Sequence, residues 1–233
     1  MLRYLATFGT IATLSLLLHH GMAEEVVLDQ NFDDFPSNAE GRIGAVKDGS
    51  YTIAGRWSDF GSDGNKPRIQ NGISRGGQAV ELSRSKSDSD YVLLGAIRPI
   101  NFTKQIQFDF SILITGKGGV SVGLNRVNDL SLAVLLQTQN PMIRGWNSTT
   151  KKWESVLGNL PEGEWVEVRM DCDVEAATYT ILLLDEKKTE IAKASLPFNR
   201  SLLEEAGLNT ICVNPQSAGL VYIDNVTVKI KEE

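Results

Sequence analysis

Glu167, Arg169 and Asp171 alternate with Val166, Val168 and Met170, so in a strand their charged side chains share one face beside Trp165. Carboxylates placed this way could split glycosidic-bond chemistry between a proton donor and a nucleophile, with their oxygens about 5.5 Å apart. The same face reads more readily as a solvated strand holding cross-strand ion pairs. Asp224 is a second candidate. It falls in an apolar phase with Leu220, Tyr222, Val226, Val228 and Ile230. A carboxylate there must be hydrogen-bonded, ion-paired or bound to a cation, and backbone N–H groups at a β-bulge would serve.

The third candidate is aromatic. Sugar recognition needs a flat apolar ring against the pyranose and polar side chains at its hydroxyls. Trp57 with Asp59, and Trp146 with Arg144 and Asn147, have that makeup. The alternative is that these rings, with Trp153 and Trp165, fill the core.

The front of the chain limits what chemistry remains. Residues 1–23 read as a secretory signal peptide: Arg3, an apolar stretch from Leu5 to Leu18, then Gly21-Met22-Ala23. That stretch is shorter than the roughly 20 residues a spanning helix needs. Both histidines, His19 and His20, lie inside it. The mature chain, 24–233, therefore lacks the imidazole of Ser-His-Asp and Cys-His catalysis and of His-ligated metal sites. Losing Arg3 leaves 22 basic side chains against 29 acidic ones, a net charge of −7. That balance argues against nucleic acid and anionic membranes as partners. The reading is an exported protein, periplasmic or extracellular, with no membrane insertion after cleavage. Cys172 and Cys212 could form a disulfide there or remain two separate thiols.

The elements that must position these groups are strands. Ile106, Phe108, Phe110, Ile112 and Ile114 alternate with Gln105, Gln107, Asp109 and Ser111. The same period continues through 120–124, 130–136, 166–170, 178–184, 191–196, 210–213 and 220–230. A hairpin is expected around Asn147 to Thr150, and further strands at Tyr51-Thr52-Ile53, 78–82 and 91–96. Only Ser201 to Ala206 reads as helical. No linker or repeat divides the chain, so an all-β antiparallel sandwich (jelly roll) over 24–233 is expected. Four Asn-x-Ser/Thr sequons, at Asn101, Asn147, Asn199 and Asn225, carry no functional weight.

Gly77-Gln78-Ala79-Val80-Glu81-Leu82, Trp165 to Asp171 followed by Ala177 to Ile181, and Val221 to Val228 resemble strands of the concanavalin A-like (laminin-G-like) jelly rolls. They are similar to bacterial carbohydrate-binding sandwich modules. The resemblance implies a non-catalytic, lectin-like protein whose partner is a polysaccharide or other glycan. It also implies a structural calcium at Asp224, with oxygens from Asp29, Asn31, Asp33 or Asp34 near the first strand. Asp29 to Asp33 has EF-hand-like spacing but lacks the glycine and distal glutamate of that loop. Glycoside hydrolases on this scaffold carry Glu-x-Asp-x-Glu or Glu-x-Asp-x-x-Glu. Here Arg169 stands where the middle carboxylate belongs, so Glu167 and Asp171 are the pair for an alternative catalytic reading. Lyases on the scaffold use Gln-x-His, and Gln105-Ile106-Gln107 has no histidine. A structural or adhesion protein with no small ligand is the remaining alternative.

Overall fold

The computed structural model describes residues 24–33, 57–59, 67–83, 93–126, 129–138, 142–156, 158–204, 206–216 and 219–231. The signal peptide expected at 1–23, the strand expected at Tyr51–Ile53, and Asp34 lie outside these residues. Fifteen strands are described: β1 (Glu24–Gln30), β2 (Trp57–Asp59), β3 (Arg68–Gln70), β4 (Ala79–Ser83), β5 (Leu93–Ile100), β6 (Gln105–Thr115), β7 (Gly119–Arg126), β8 (Asp129–Gln137), β9 (Met142–Asn147), β10 (Lys152–Val156), β11 (Trp165–Asp173), β12 (Thr178–Leu184), β13 (Glu190–Pro197), β14 (Leu208–Pro215) and β15 (Leu220–Lys231). A single 3-10 turn at Arg200–Leu203 replaces the expected helix. It is capped by Asn199, whose side chain accepts from the Ser201 amide.

The strands form two antiparallel sheets. One is ordered β13-β12-β11-β6-β15-β4-β3, with β1 also pairing β15; the other is ordered β10-β9-β8-β7-β14-β5-β2. The period-two alternation explains the sandwich. Ile106, Phe108, Phe110 and Ile112 of β6, with Val166, Val168, Met170 and Cys172 of β11, turn inward from the first sheet. Val120, Val122, Leu132, Val134 and Leu136 meet them from the second. The sheets pack tightly at Gly145, where an added Cβ would lie 2.0 Å from Leu196 Cδ1 and 2.6 Å from Ile181 Cδ1. Tyr179 ties the layers together, its hydroxyl reaching the backbone oxygens of Trp146 at 2.7 Å and Ala133 at 3.2 Å. Among the described residues no helix is long and apolar enough to cross a membrane.

One sequence expectation is corrected at β15. The pairing of β15 with β6 shifts register between Asp224 and Thr227, and Asn225 adopts φ 51°. The extra residue is a β-bulge, and it exchanges inside for outside. Val221 and Ile223 point inward before it, and Val226, Val228 and Ile230 after it. Asp224 therefore lies on the outer face with Tyr222, not in the apolar phase of Val226 and Val228. The cysteines are both free, Cys172 buried and Cys212 half-buried. Cys172 faces the core, and burial pushes its thiol up. Cys212 belongs to the other sheet, on β14.

Candidate functional site

On the outer face of the eight-stranded sheet, register brings a set of polar side chains together. Four rows cross β11, β6 and β15: Glu167–Ser111–Asp224, Arg169–Asp109–Thr227, Asp171–Gln107–Lys229 and Asp173–Gln105–Lys231. From Glu167 to Asp173 the strand rises about 20 Å, at roughly 3.3 Å per residue. Two adjoining hollows follow this line and share Gln107 and Lys229. One, of 380 Å³, lies among Arg75, Asp109, Glu167, Arg169 and Lys188. The other, of 310 Å³, lies among Glu24, Gln105, Asp171, Asp173, Thr180 and Lys231.

Arg169 Nε donates to Asp109 Oδ1 at 2.8 Å, and the other Asp109 oxygen accepts from Gln107. The bond to Asp109 holds the guanidinium in its charged form and raises its pKa. Glu167 is ion-paired with Lys188, and Arg75 Nη1 stands 3.7 Å from the same carboxylate oxygen. Lys229 reaches Glu24 at 2.9 Å, which raises the lysine pKa and lowers that of the glutamate. Asp171 is open to solvent on its groove side and surrounded by sheet on the other. The desolvation from that sheet raises its pKa, against the opposing pull of Arg169.

The groove is closed at one end by a small second core. Trp165, Leu113 and Tyr222 lie in one row, and with Ala79 they form a buried cluster on this outer face. Trp165 is thus a packing residue, 7% exposed.

Asp224 is 2% exposed, under the segment that carries Arg75. Its Oδ2 accepts the Arg75 amide at 3.0 Å and its Oδ1 the Asn225 amide at 2.8 Å. Burial raises its pKa, the two amides oppose that, and neighbouring Asp33 adds to the rise. Asp33 Oδ1 accepts the Gln78 amide at 2.7 Å and Oδ2 the Asn31 amide group at 3.1 Å. Asp29 Oδ1 accepts from the Thr227 hydroxyl at 3.3 Å. Each carboxylate oxygen of Asp224 thus already has a protein donor, as expected of an acid at a bulge. Among the described residues no three His, Cys, Asp or Glu side chains converge as metal ligands. The fit to a calcium ion is poor.

The aromatic candidates separate. Trp57 and Asp59 belong to β2, at one edge of the seven-stranded sheet, and β9 lies next to the other edge. Five strand spacings, about 24 Å at roughly 4.8 Å each, divide Trp57 from Trp146, so they cannot flank one sugar ring. Trp146 packs edge-to-face on Trp153, with centroids 5.3 Å apart, and its indole N–H donates to the Leu130 oxygen at 3.0 Å. It lines a 160 Å³ hollow with Arg126, Asp129, Lys151, Asn199 and Ser201. Arg144 does not line that hollow. Asn147 is 4% exposed and closes the β9–β10 hairpin: its Oδ1 accepts the Thr149 and Thr150 amides at 3.0 Å, and its Nδ2 donates to Glu154.

No family model and no curated protein matches the chain. Solved structures do. The CBM2 module of the evolved Dit of Lactobacillus casei BL23 phage J-1 superposes with a TM-score of 0.59 at 11% identity, over 91% of this chain and 98% of that one. The two chains share a fold, the antiparallel β-sandwich of two sheets. The winged bean acidic lectin complexed with methyl-α-D-galactose agrees, with a TM-score of 0.54 at 12% identity over 89% of this chain and 99% of that one. A sialidase matches 76% of this chain at 12% identity and a TM-score of 0.49. The chain spans only 19% of that protein's length, and this likeness carries no weight.

Proposed function

We propose that this protein is an exported, non-catalytic carbohydrate-binding protein whose glycan lies along the groove on the outer face of the eight-stranded sheet. The observation that carries this is the groove itself. It presents both donors and acceptors along about 20 Å of strand, enough for several sugar rings in line. Hydroxyl-rich ligands need that mixture. The lectin-like fold favours the same reading, as does the sugar in the winged bean complex. Glu167 is neutralised by Lys188 with Arg75 beside it, and Arg169 displaces the middle carboxylate of the hydrolase pattern. Both weigh against catalysis.

The test is depletion of the protein from solution by a panel of insoluble and gel-embedded polysaccharides. Retention by at least one polymer is expected. It should be lost in the double variant Gln107→Ala, Asp171→Ala and kept in Trp146→Ala. The opposite pattern would move the site to the Trp146 hollow, which pairs a fixed indole with Arg126, Asp129 and Asn199. No retention on any polymer would sink the carbohydrate reading. Retention that vanishes on chelation would restore calcium at Asp224, Asp29 and Asn31. Hydrolysis or cleavage that disappears in Glu167→Gln, Asp171→Asn would establish the enzyme instead.

A further inference from the structure

The two halves of the groove differ in charge. Four cations, Arg75, Arg169, Lys188 and Lys229, border the 380 Å³ hollow against two carboxylates, Asp109 and Glu167. The 310 Å³ hollow has the reverse excess, with Glu24, Asp171 and Asp173 against Lys229 and Lys231. The protein as a whole is acidic, at −6, so a local excess of two positive charges runs against its general field.

Each cation has an acidic partner, but within this hollow they outnumber the carboxylates: Lys188 and Arg75 share Glu167, and Arg169 holds Asp109. Among the described residues Arg169 makes its bond to Asp109 through Nε alone. Its two terminal amino groups remain for a planar oxyanion, the geometry a guanidinium matches best. Asp109 is held from the other side by Gln107, so Arg169 is fixed before any ligand arrives. Lys229 pairs outside this hollow, with Glu24. Lys188 has 59% of its side chain exposed and stands at the rim.

We infer that the groove selects an acidic glycan, a chain with a carboxylate- or sulfate-bearing sugar. The anionic group sits at Arg169, flanked by Arg75 and Lys188. The next sugar along the strand direction is uncharged and lies at Asp171 and Gln107. Asp171 and Asp173 would repel a second anion there, so the ligand is held in one direction. This rests on the carbohydrate-binding reading and narrows it.

The experiment compares matched polymers in which charged and neutral sugars alternate: hyaluronan with its carboxyl-reduced form, and κ-carrageenan with its desulfated form. Affinity electrophoresis in each gel gives the retardation, at salt from low to high. At least one charged member is expected to retard the protein, and its neutral counterpart to do so much less. Arg169→Gln should weaken that retardation roughly tenfold or more, the loss of one charge-assisted contact. Lys188→Gln, at an exposed position, should weaken it by a smaller factor. Arg169→Lys keeps the charge beside Asp109 but loses the fork, and should fall between Arg169→Gln and wild type. Matching melting curves for the variants would show that folding is not the cause. Equal retardation by both members of each pair would overturn the acidic-glycan inference and leave glycan binding intact. So would charged-polymer retardation indifferent to salt and to Arg169→Gln. Retardation by none of these polymers, nor by any in the wider panel, would overturn both.

Discussion

Tyr222 lies on the outer face of the eight-stranded sheet, 3% exposed, with its phenol beside Glu81. Burial, and then the neighbouring carboxylate, push the phenol up to about 12. An unfolded tyrosine titrates near 10. The folded pKa is the higher one, so this contribution to stability is whole below about pH 10 and is lost as pH rises through about 12. Denaturant melts between pH 8 and 12 should show a decline in wild type that is shallower in Tyr222→Phe, the remainder coming from the buried Tyr179 and Cys172. Equal slopes in the two proteins would refute the buried phenol. At this scale the sequence was partly legible. Glu167, Arg169 and Asp171 stand out from the alternation of one strand. Their partners do not: Asp109 is 60 residues from Arg169 in the chain, and Lys188 reaches Glu167 from the loop after β12. Gln107, Asp109 and Lys229 are visible only as polar positions of their own strands, and cross-strand register alone shows that they meet.

Among the elements, β15 was read with one unbroken phase, and the bulge at Asn225 breaks it. A bulge shifts the phase by one residue, but Leu220 and Tyr222, apolar on the outer face, fall in step with Val226, Val228 and Ile230, so the pattern looks continuous. Asn225 was the one available signal, since asparagine enters the left-handed region more readily than other residues with a Cβ. Asn225→Gly should leave stability within about 0.5 kcal/mol of wild type. Asn225→Val should cost about 1–2 kcal/mol, the left-handed penalty for an L residue with a Cβ. Urea titration measures both. A neutral valine would mean the strand can re-register without the bulge. By contrast, the β9–β10 hairpin was legible in full, because Asn147 closes the turn through local contacts to Thr149 and Thr150.

For the whole molecule, alternation gave the two-sheet class, since every inward residue needs an opposing apolar face. Topology was beyond it. β15 sits between β6 on one side and β4 with β1 on the other, and β4 and β1 share its flank end to end. Deleting Leu220–Lys231 would strip partners from three strands at once, and the product should be insoluble, with no cooperative melt. A soluble, cooperatively melting product would show that the sheet can close without it. The last of the described strands is also the one that joins the sheet, and Glu24 waits on Lys231 for its register. A chain emerging from the ribosome has no template for β1 until Lys231 has been made. Pairings so distant in sequence fold slowly, which leaves the emerging chain extended and open to whatever machinery handles unfolded polypeptide.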